Sequence, residues 1–401
     1  PPPPFFFFTQ TPETPMLRSL VGSEMCIRDR EQSDPNSANY LVGALHRHAI
    51  EMQRSNTSRT FGDVEVKAGD ILINLNQPYG PLAKTLLEKQ DFPSDVEVPP
   101  YDDVSWTFSY IYGVDVVPID DPNIWVHASR RFREGEVFIS ETEVPTESSV
   151  WIVSNHAQRE FGPTRFALGD IEILVTEEEF ANGDNEFPAG SMVIDIGDLG
   201  SQNRERVAEV LANTNLPVTN ITSMPDVATH ELDLPRLGVF QSWTSTQNAG
   251  WVRYSLDQAE VPYTLFSKDR ARRGNLQREF DVILIPHMSS GTQLSQIMGG
   301  IDPKWSPLPY ETTTETPNIG HILSSSDITG GIGFEGMAAF EEFIREGGTL
   351  VTLGSAGVIA TDSGIIRGVN KRGPGGMNTP GSVMTVTVSY THLTLPTILL
   401  V

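Results

Sequence analysis

Cysteine is almost missing from this sequence: Cys26 is the single one in 401 residues. An internal disulfide framework and a cysteine-rich zinc site are thereby excluded, while the redox compartment stays open. Long apolar runs are also lacking. Even the stretch VILIP at 282–286 is bounded by Asp281 and His287, far short of the ~20 apolar residues that cross a bilayer. Basic residues are scarce, with 28 Lys and Arg against 52 Asp and Glu, a net charge of -24. Such a surface repels phosphates, so neither nucleic acid nor an anionic membrane is an expected partner. The acidity favours solubility and identifies no substrate.

What is present suits ordered domains with many loops. Hydrophobic residues make up 38% and charged residues 20%, and the chain carries 34 Gly and 29 Pro. Its length predicts two or three domains, at ~100–200 residues each. The two ends read differently. The start lacks an initiator Met, and its four consecutive Phe fall short of the ~7–15 residue apolar core of a signal peptide. VGSEMCIRDR at 21–30 and VSYTHLTLPT at 388–397 resemble translated sequencing-library adapter. Residues 1–30 and 389–401 are therefore set aside as artefact tails, which removes Cys26 and His392 from any catalytic reading.

Within 31–122, Leu41, Ala44, Leu45, His48 and Met52 recur at helical spacing behind Asn36 and Ser37 as possible caps. DVEVKAGDILINLNQPYGPLAKTLLEKQ then reads as strand, turn, strand and a helix with Leu82 and Leu86 on one face, a small α/β unit. Residues 123–149 read as a linker or insertion. A second small α/β unit over 150–235 repeats the grammar, with Pro188-Ala189-Gly190-Ser191 standing where Lys67-Ala68-Gly69-Asp70 stood. Duplication and a shared need for Gly at a hairpin turn explain that match equally well. From 236 to 388 the order is strand RLGVF, helix 249–260, strand YTLFS, buried strand DVILIPH, helix 334–346 and buried strand GTLVTLG. This βαβ alternation predicts a doubly wound, flavodoxin-like parallel sheet.

Four strings, NLNQPYGPLAKTLLEKQDFP, PPYDDVSWTFSYIYGVDV, VFQSWTSTQNAGWVRYSLDQAEVPYTLF and TGGIGFEGMAAFEEFIREGGTLVTL, in this order resemble the regions that follow the catalytic domain in large secreted bacterial zinc carboxypeptidases of the carboxypeptidase A type. The resemblance implies a non-catalytic accessory region, a partner zinc peptidase domain lying upstream, peptide as the parent's substrate, and a secreted or periplasmic location. Zinc is then expected in that other domain and no cofactor in this one. The resemblance also implies that the family's zinc ligands, substrate-binding Arg and general-base Glu lie outside this stretch.

His48-Ala49-Ile50-Glu51 is a literal His-x-x-Glu, and His156 follows about where a third ligand would fall. A zinc site needs three converging deprotonated ligands and an open position. Against this, His48 continues the stripe begun at Leu41, which reads as a partly buried helical histidine. The expectation is no metal site.

Residues 236–388 further resemble class I glutamine-amidotransferase-like domains, in which a strand runs into a sharp turn bearing a cysteine. Ser355 stands where that cysteine would be, between Gly354 and Gly357. A serine nucleophile needs a base, and His287, ending the DVILIPH strand, is placed at the same sheet edge by the rule that open α/β sites lie beyond strand C-termini. The expected reading is a relic elbow, with a hydrolase or amidotransferase using Ser355 and His287 as the alternative. Trp243 and Trp251 flank the first βα turn, where they either line a peptide or glycan pocket or cover the sheet. The Gly-, Ser-, Thr- and Pro-rich loop 288–333 reads either as a lid or partner surface or as disordered.

Overall fold

The computed structural model describes residues 24–27, 34–89, 107–133 and 149–367, with 135, 136, 138, 144 and 145. It is a mixed structure of helices and strands. The described chain divides into two compact units, one of residues 24–161 and 173–230, the other of 162–172 and 231–367.

The first unit holds two five-stranded sheets. Strands β1 (Glu24–Ile27), β2 (Gln53–Ser55), β5 (Ile71–Asn74), β6 (Val116–Ile119) and β7 (Ser129–Arg131) lie in the order β6-β1-β5-β2-β7, while β3 (Arg59–Phe61) and β4 (Val64–Val66) form a separate hairpin. The second sheet contains β8 (Val150–Val153), β9 (Leu174–Thr176), β12 (Met192–Asp195), β13 (Val218–Ile221) and β14 (Thr229–Glu231), in the order β13-β8-β12-β9-β14. Its hairpin is β10 (Phe180–Asn182) with β11 (Asn185–Phe187). Strand for strand, the two orders are the same.

The correspondence extends to single hydrogen bonds. Ser55 N–H donates to Asp70 O (2.8 Å) and Thr176 N–H to Ser191 O (3.1 Å); Gly69 N–H donates to Ser55 O (2.9 Å) and Gly190 N–H to Thr176 O (2.7 Å). Across this stretch the two copies differ by a constant 121 positions, as from Asp70 to Ser191. Gly69 and Gly190 both have positive φ, 108° and 82°, a backbone that favours glycine. The same turn is braced by different chemistry. Asp70 Oδ2 accepts from Lys67 N–H (2.8 Å), whereas Ser191 Oγ donates to Pro188 O (2.7 Å). The two Ala-Gly turns thus stand at equivalent places in a topological repeat.

Two expectations about boundaries differ from this structure. The segment set aside as an end tail supplies β1, which pairs with both β5 and β6 and buries Met25, Cys26 and Ile27. The equivalent slot in the second sheet is filled by the wholly buried Val150–Val153. Such a slot is specified by backbone pairing and apolarity, so a four-residue run of suitable pattern occupies it whatever its sequence origin. The stretch read as a linker, 123–149, supplies edge strand β7. It also supplies buried Phe132 and buried His127, whose Nε2 lies 2.6 Å from Ser55 Oγ. The end segments 1–23 and 389–401, with His392, lie outside the described residues.

Helix α1 (Pro35–Arg47) buries Leu41, Ala44 and Leu45 of the predicted stripe, with Ala38 and Val42, but ends before His48 and Met52, which the stripe had placed on the same helix. Its N-cap is Asp34, which accepts from Asn36 N–H at 2.9 Å with Pro35 following, in place of the expected Asn36 or Ser37. Helix α2 (Gly80–Leu87) packs through Ala83, Leu86 and Leu87; the short α3 (Phe108–Tyr112) and α4 (Phe161–Leu168) follow, and α5 (Ser201–Thr214) buries Val207 and Leu211.

The second unit is built on a parallel sheet of β15 (Leu237–Phe240), β16 (Thr264–Phe266), β17 (Val282–Ile285) and β18 (Thr349–Thr352), in the order β16-β15-β17-β18. Its connections use α6 (Gln247–Gln258), α7 (Lys268–Ala271), α8 (Leu294–Gly299) and α9 (Gly333–Arg345), with α10 (Val358–Thr361) after the last strand. Phe240, Phe266, Phe280, Phe340 and Phe343 form the centre of the core. Because the chain leaves β15 for β16 on one side and returns to β17 on the other, the winding reverses beside β15. In such sheets a crevice opens there, at the strand C-termini.

Candidate functional site

His287 and Ser355 come together at the sheet's C-terminal edge. Each follows the end of one of two adjacent parallel strands, β17 and β18, and so projects from the same edge. Ser355 N–H donates to His287 Nδ1 at 3.1 Å, and Ser355 Oγ accepts from Met288 N–H at 3.1 Å. Ser355 Oγ lies 3.5 Å from His287 Nδ1, outside the usual range for a hydroxyl hydrogen bond.

This arrangement disfavours nucleophilic catalysis on three counts. Nδ1 has one lone pair, and the Ser355 amide occupies it, so that nitrogen is not free to take the hydroxyl proton. Among the described residues, no carboxylate is hydrogen-bonded to His287. The two amides that would stabilise an oxyanion at such a turn are also engaged, Ser355 N–H by His287 and Ala356 N–H by Leu353 O (3.1 Å).

A left-handed backbone residue marks the elbow itself. Gly354 has φ +52°, whereas Ser355 is not among the residues with positive φ. A Cβ on Gly354 would stand 2.2 Å from His287 Nδ1. The left-handed residue aimed at the histidine is thus Gly354, one position before the serine expected there. Gly357 closes a 3₁₀ turn (Gly354–Gly357) with ordinary φ −54°, so the two glycines do not form a symmetric bracket.

The tryptophans belong to separate pairs. Trp243 lies against Tyr310 of the long loop, with ring centroids 5.1 Å apart, while Trp251 is 64% exposed and meets Tyr254 edge-on at 5.9 Å. Loop 288–333 is folded. Asp327 accepts from Ser306 Oγ, Leu308 N–H (3.1 Å) and Thr329 N–H (2.9 Å), and Ser325 Oγ donates to Asp269 Oδ2 at 2.7 Å. The hydrogen bond from Ser306, with those from the Thr329 and Leu308 amides, holds the Asp327 carboxyl well below its ordinary value.

The chain matches no protein-family model and no curated protein.

In the first unit, His48 directly follows the last residue of α1. It caps α1, with Nδ1 2.8 Å from Ala44 O, and is exposed rather than partly buried as the stripe predicted. Among the described residues, no group of three His, Cys, Asp or Glu side chains is placed to hold a metal, and no helix is long and apolar enough to cross a membrane.

Three side chains at the winding reversal escaped the sequence reading: Gln241, Lys268 and Asp269. The available signal was the same strand-end rule that found His287. Gln241 directly follows β15 and Lys268 lies two residues beyond β16.

Proposed function

We propose that this chain is a non-catalytic accessory region of a zinc carboxypeptidase-like protein, its second unit a degenerate, flavodoxin-like domain of the class I glutamine-amidotransferase type. The strand order β16-β15-β17-β18 supports the doubly wound arrangement, and the ordered strings quoted above support the parentage. The non-catalytic reading rests on one observation: the elbow residue is Gly354, and the lone pair of His287 Nδ1 is taken by the Ser355 amide. Zinc chemistry and peptide cleavage would belong to a partner domain carried elsewhere, and secretion would follow the parent. Recovering the upstream genomic sequence tests the parentage. A contiguous zinc-peptidase frame supports it, and a start codon near residue 31 contradicts it.

One observation favours a second reading, a hydrolase using Ser355. Ser355 Oγ is only 3.5 Å from His287 Nδ1, and catalytic hydrogen bonds are often long before substrate binds. Covalent labelling of Ser355 separates the two readings.

A further inference from the structure

At the end of edge strand β7 the first unit carries a cavity of about 640 Å³, within the ~300–1,000 Å³ of small-molecule pockets. Arg131, Arg133, Glu51 and the exposed Tyr79 line it, with buried Ile50, Met52 and Phe132 among its walls. The three chain segments that form it are fastened to one another. Phe132 N–H donates to Met52 O (2.9 Å), Gln77 Nε2 to Glu51 O (2.9 Å) and Glu51 N–H to Gln77 Oε1 (2.6 Å), so the walls are preformed. Glu51 pairs with Arg131 at 3.7 Å, and among the described residues no carboxylate pairs with the Arg133 guanidinium. With His46 counted as neutral, the side chains on this cavity therefore carry one net positive charge, in a chain whose own net charge is -24.

The repeat supplies an internal comparison. His48 N–H donates to Ala44 O and Gly169 N–H to Arg165 O, both at 3.2 Å, while Asn56 N–H donates to Ala128 O and Glu177 N–H to Ala228 O, both at 2.9 Å. Ala44 is thus the equivalent of Arg165, and Arg131 and Arg133 are the equivalents of Glu231 and Asp233. In the second copy the buried Arg165 donates to Leu232 O at 2.6 Å, and the Glu231 and Asp233 carboxylates attract its charge. In the first copy the edge segment is cationic and the helix offers only the methyl group of Ala44, so the helix supplies no matching anion. We infer that the cavity binds a small amphipathic monocarboxylate, its carboxylate on the Arg133 guanidinium beside the Arg131–Glu51 pair and its apolar body against Ile50, Met52, Phe132 and Tyr79. The planar guanidinium matches a carboxylate through two parallel hydrogen bonds. A dianion would exceed the single unmatched charge and be repelled by Glu51. This site is separate from the elbow and does not depend on the parentage of the chain.

Titration of the full chain followed by saturation-transfer NMR tests the inference, with 2-naphthylacetate, its neutral amide 2-naphthylacetamide, acetate and 2-naphthyl phosphate as probes. The naphthylacetate should bind. The amide should be weaker by about tenfold, the size of a lost charge-assisted contact, and acetate by at least as much, because it has no apolar body to bury. Arg133→Gln should weaken the acid by about tenfold and leave the amide unchanged, whereas Tyr79→Ala should weaken acid and amide alike. Glu51→Gln frees Arg131 and should bring the naphthyl phosphate, weaker than the acid on wild type, level with it. All three changes are at exposed positions, and circular dichroism checks that each variant is folded. Absence of a naphthylacetate signal with folded wild type would overturn the inference. Equal binding of acid and amide by wild type, or an acid affinity untouched by Arg133→Gln, would overturn it too.

Discussion

The backbone N–H of Ser355 donates to Nδ1 of His287 at 3.1 Å, taking the lone pair through which this histidine would otherwise have served the serine's own hydroxyl. The contact ties the turn after β18 to the end of β17. It makes His287 a structural acceptor and leaves Gly354, with its left-handed backbone, as the residue that faces the ring.

Gly354→Ala should therefore destabilise the second unit by about 1–3 kcal/mol, the cost of a strained backbone position, since φ is +52° and the new Cβ would meet His287 Nδ1 at 2.2 Å. Part of the loss should return in the Gly354→Ala/His287→Ala double variant, which relieves the clash and keeps the strain. Urea titration of the four proteins measures the coupling. Strict additivity would show that the ring does not press on the turn.

Ile27 and Val153 occupy equivalent ends of β1 and β8, opposite Ile71 and Met192, and both are fully buried. Ile27→Ala should cost about 2–5 kcal/mol, and Val153→Ala should be destabilising as well, by less because it deletes less side chain. Thermal melts of the two variants compare the two sheets directly. A silent Ile27→Ala beside a costly Val153→Ala would mean that β1 contributes no stability and that adapter-like sequence merely fills the slot.

Glu136 clamps the edge of the first sheet, accepting from Arg130 Nη1 at 2.9 Å and lying 3.4 Å from Arg54 Nη1. The Arg130 hydrogen bonds are the main reason its carboxyl is pushed down from 4.5 to about 2. Because the folded value is the lower one, the unfolded chain binds the proton first. The clamp's contribution is complete above pH 4.5 and declines as the pH falls towards about 2. Glu136→Gln should flatten this part of the acid-unfolding profile and leave the profile above pH 6 parallel to wild type. An unchanged acid limb would contradict the clamp.

Asp327 organises the long loop through Ser306, Leu308 and Thr329. Asp327→Ala should speed hydrogen exchange at the Leu308 and Thr329 amides by about tenfold or more, because exposed loop hydrogen bonds open locally, while the β17 amides stay protected. Unchanged exchange at both loop amides would show that other contacts hold the loop.

The parallel sheet was legible because its strands are apolar runs and its helices are periodic: VILI, TLVT and the stripe of Met337, Phe340 and Phe343 state their own periods. The three-residue strands β2, β3, β4, β7, β9, β10, β11 and β14 are too short to show alternation, so the repeated sheet showed in the sequence only as two Ala-Gly turns. At the site, the strand-end rule placed His287 correctly. It could not distinguish Gly354 from Ser355, since which residue takes positive φ depends on where β18 releases the chain. Gln241 and Lys268 carry no motif, so their burial at the strand ends was not legible in the sequence.

The non-catalytic reading is tested most directly by exposing the folded chain to a fluorophosphonate probe and counting labelled serines by intact-mass spectrometry. With His287 Nδ1 bonded to the Ser355 amide and the neighbouring Ala356 amide bonded to Leu353 O, the account predicts no label on Ser355 and no difference from Ser355→Ala. One equivalent of label that vanishes in Ser355→Ala and forms more slowly in His287→Ala would contradict it and establish a working Ser–His pair.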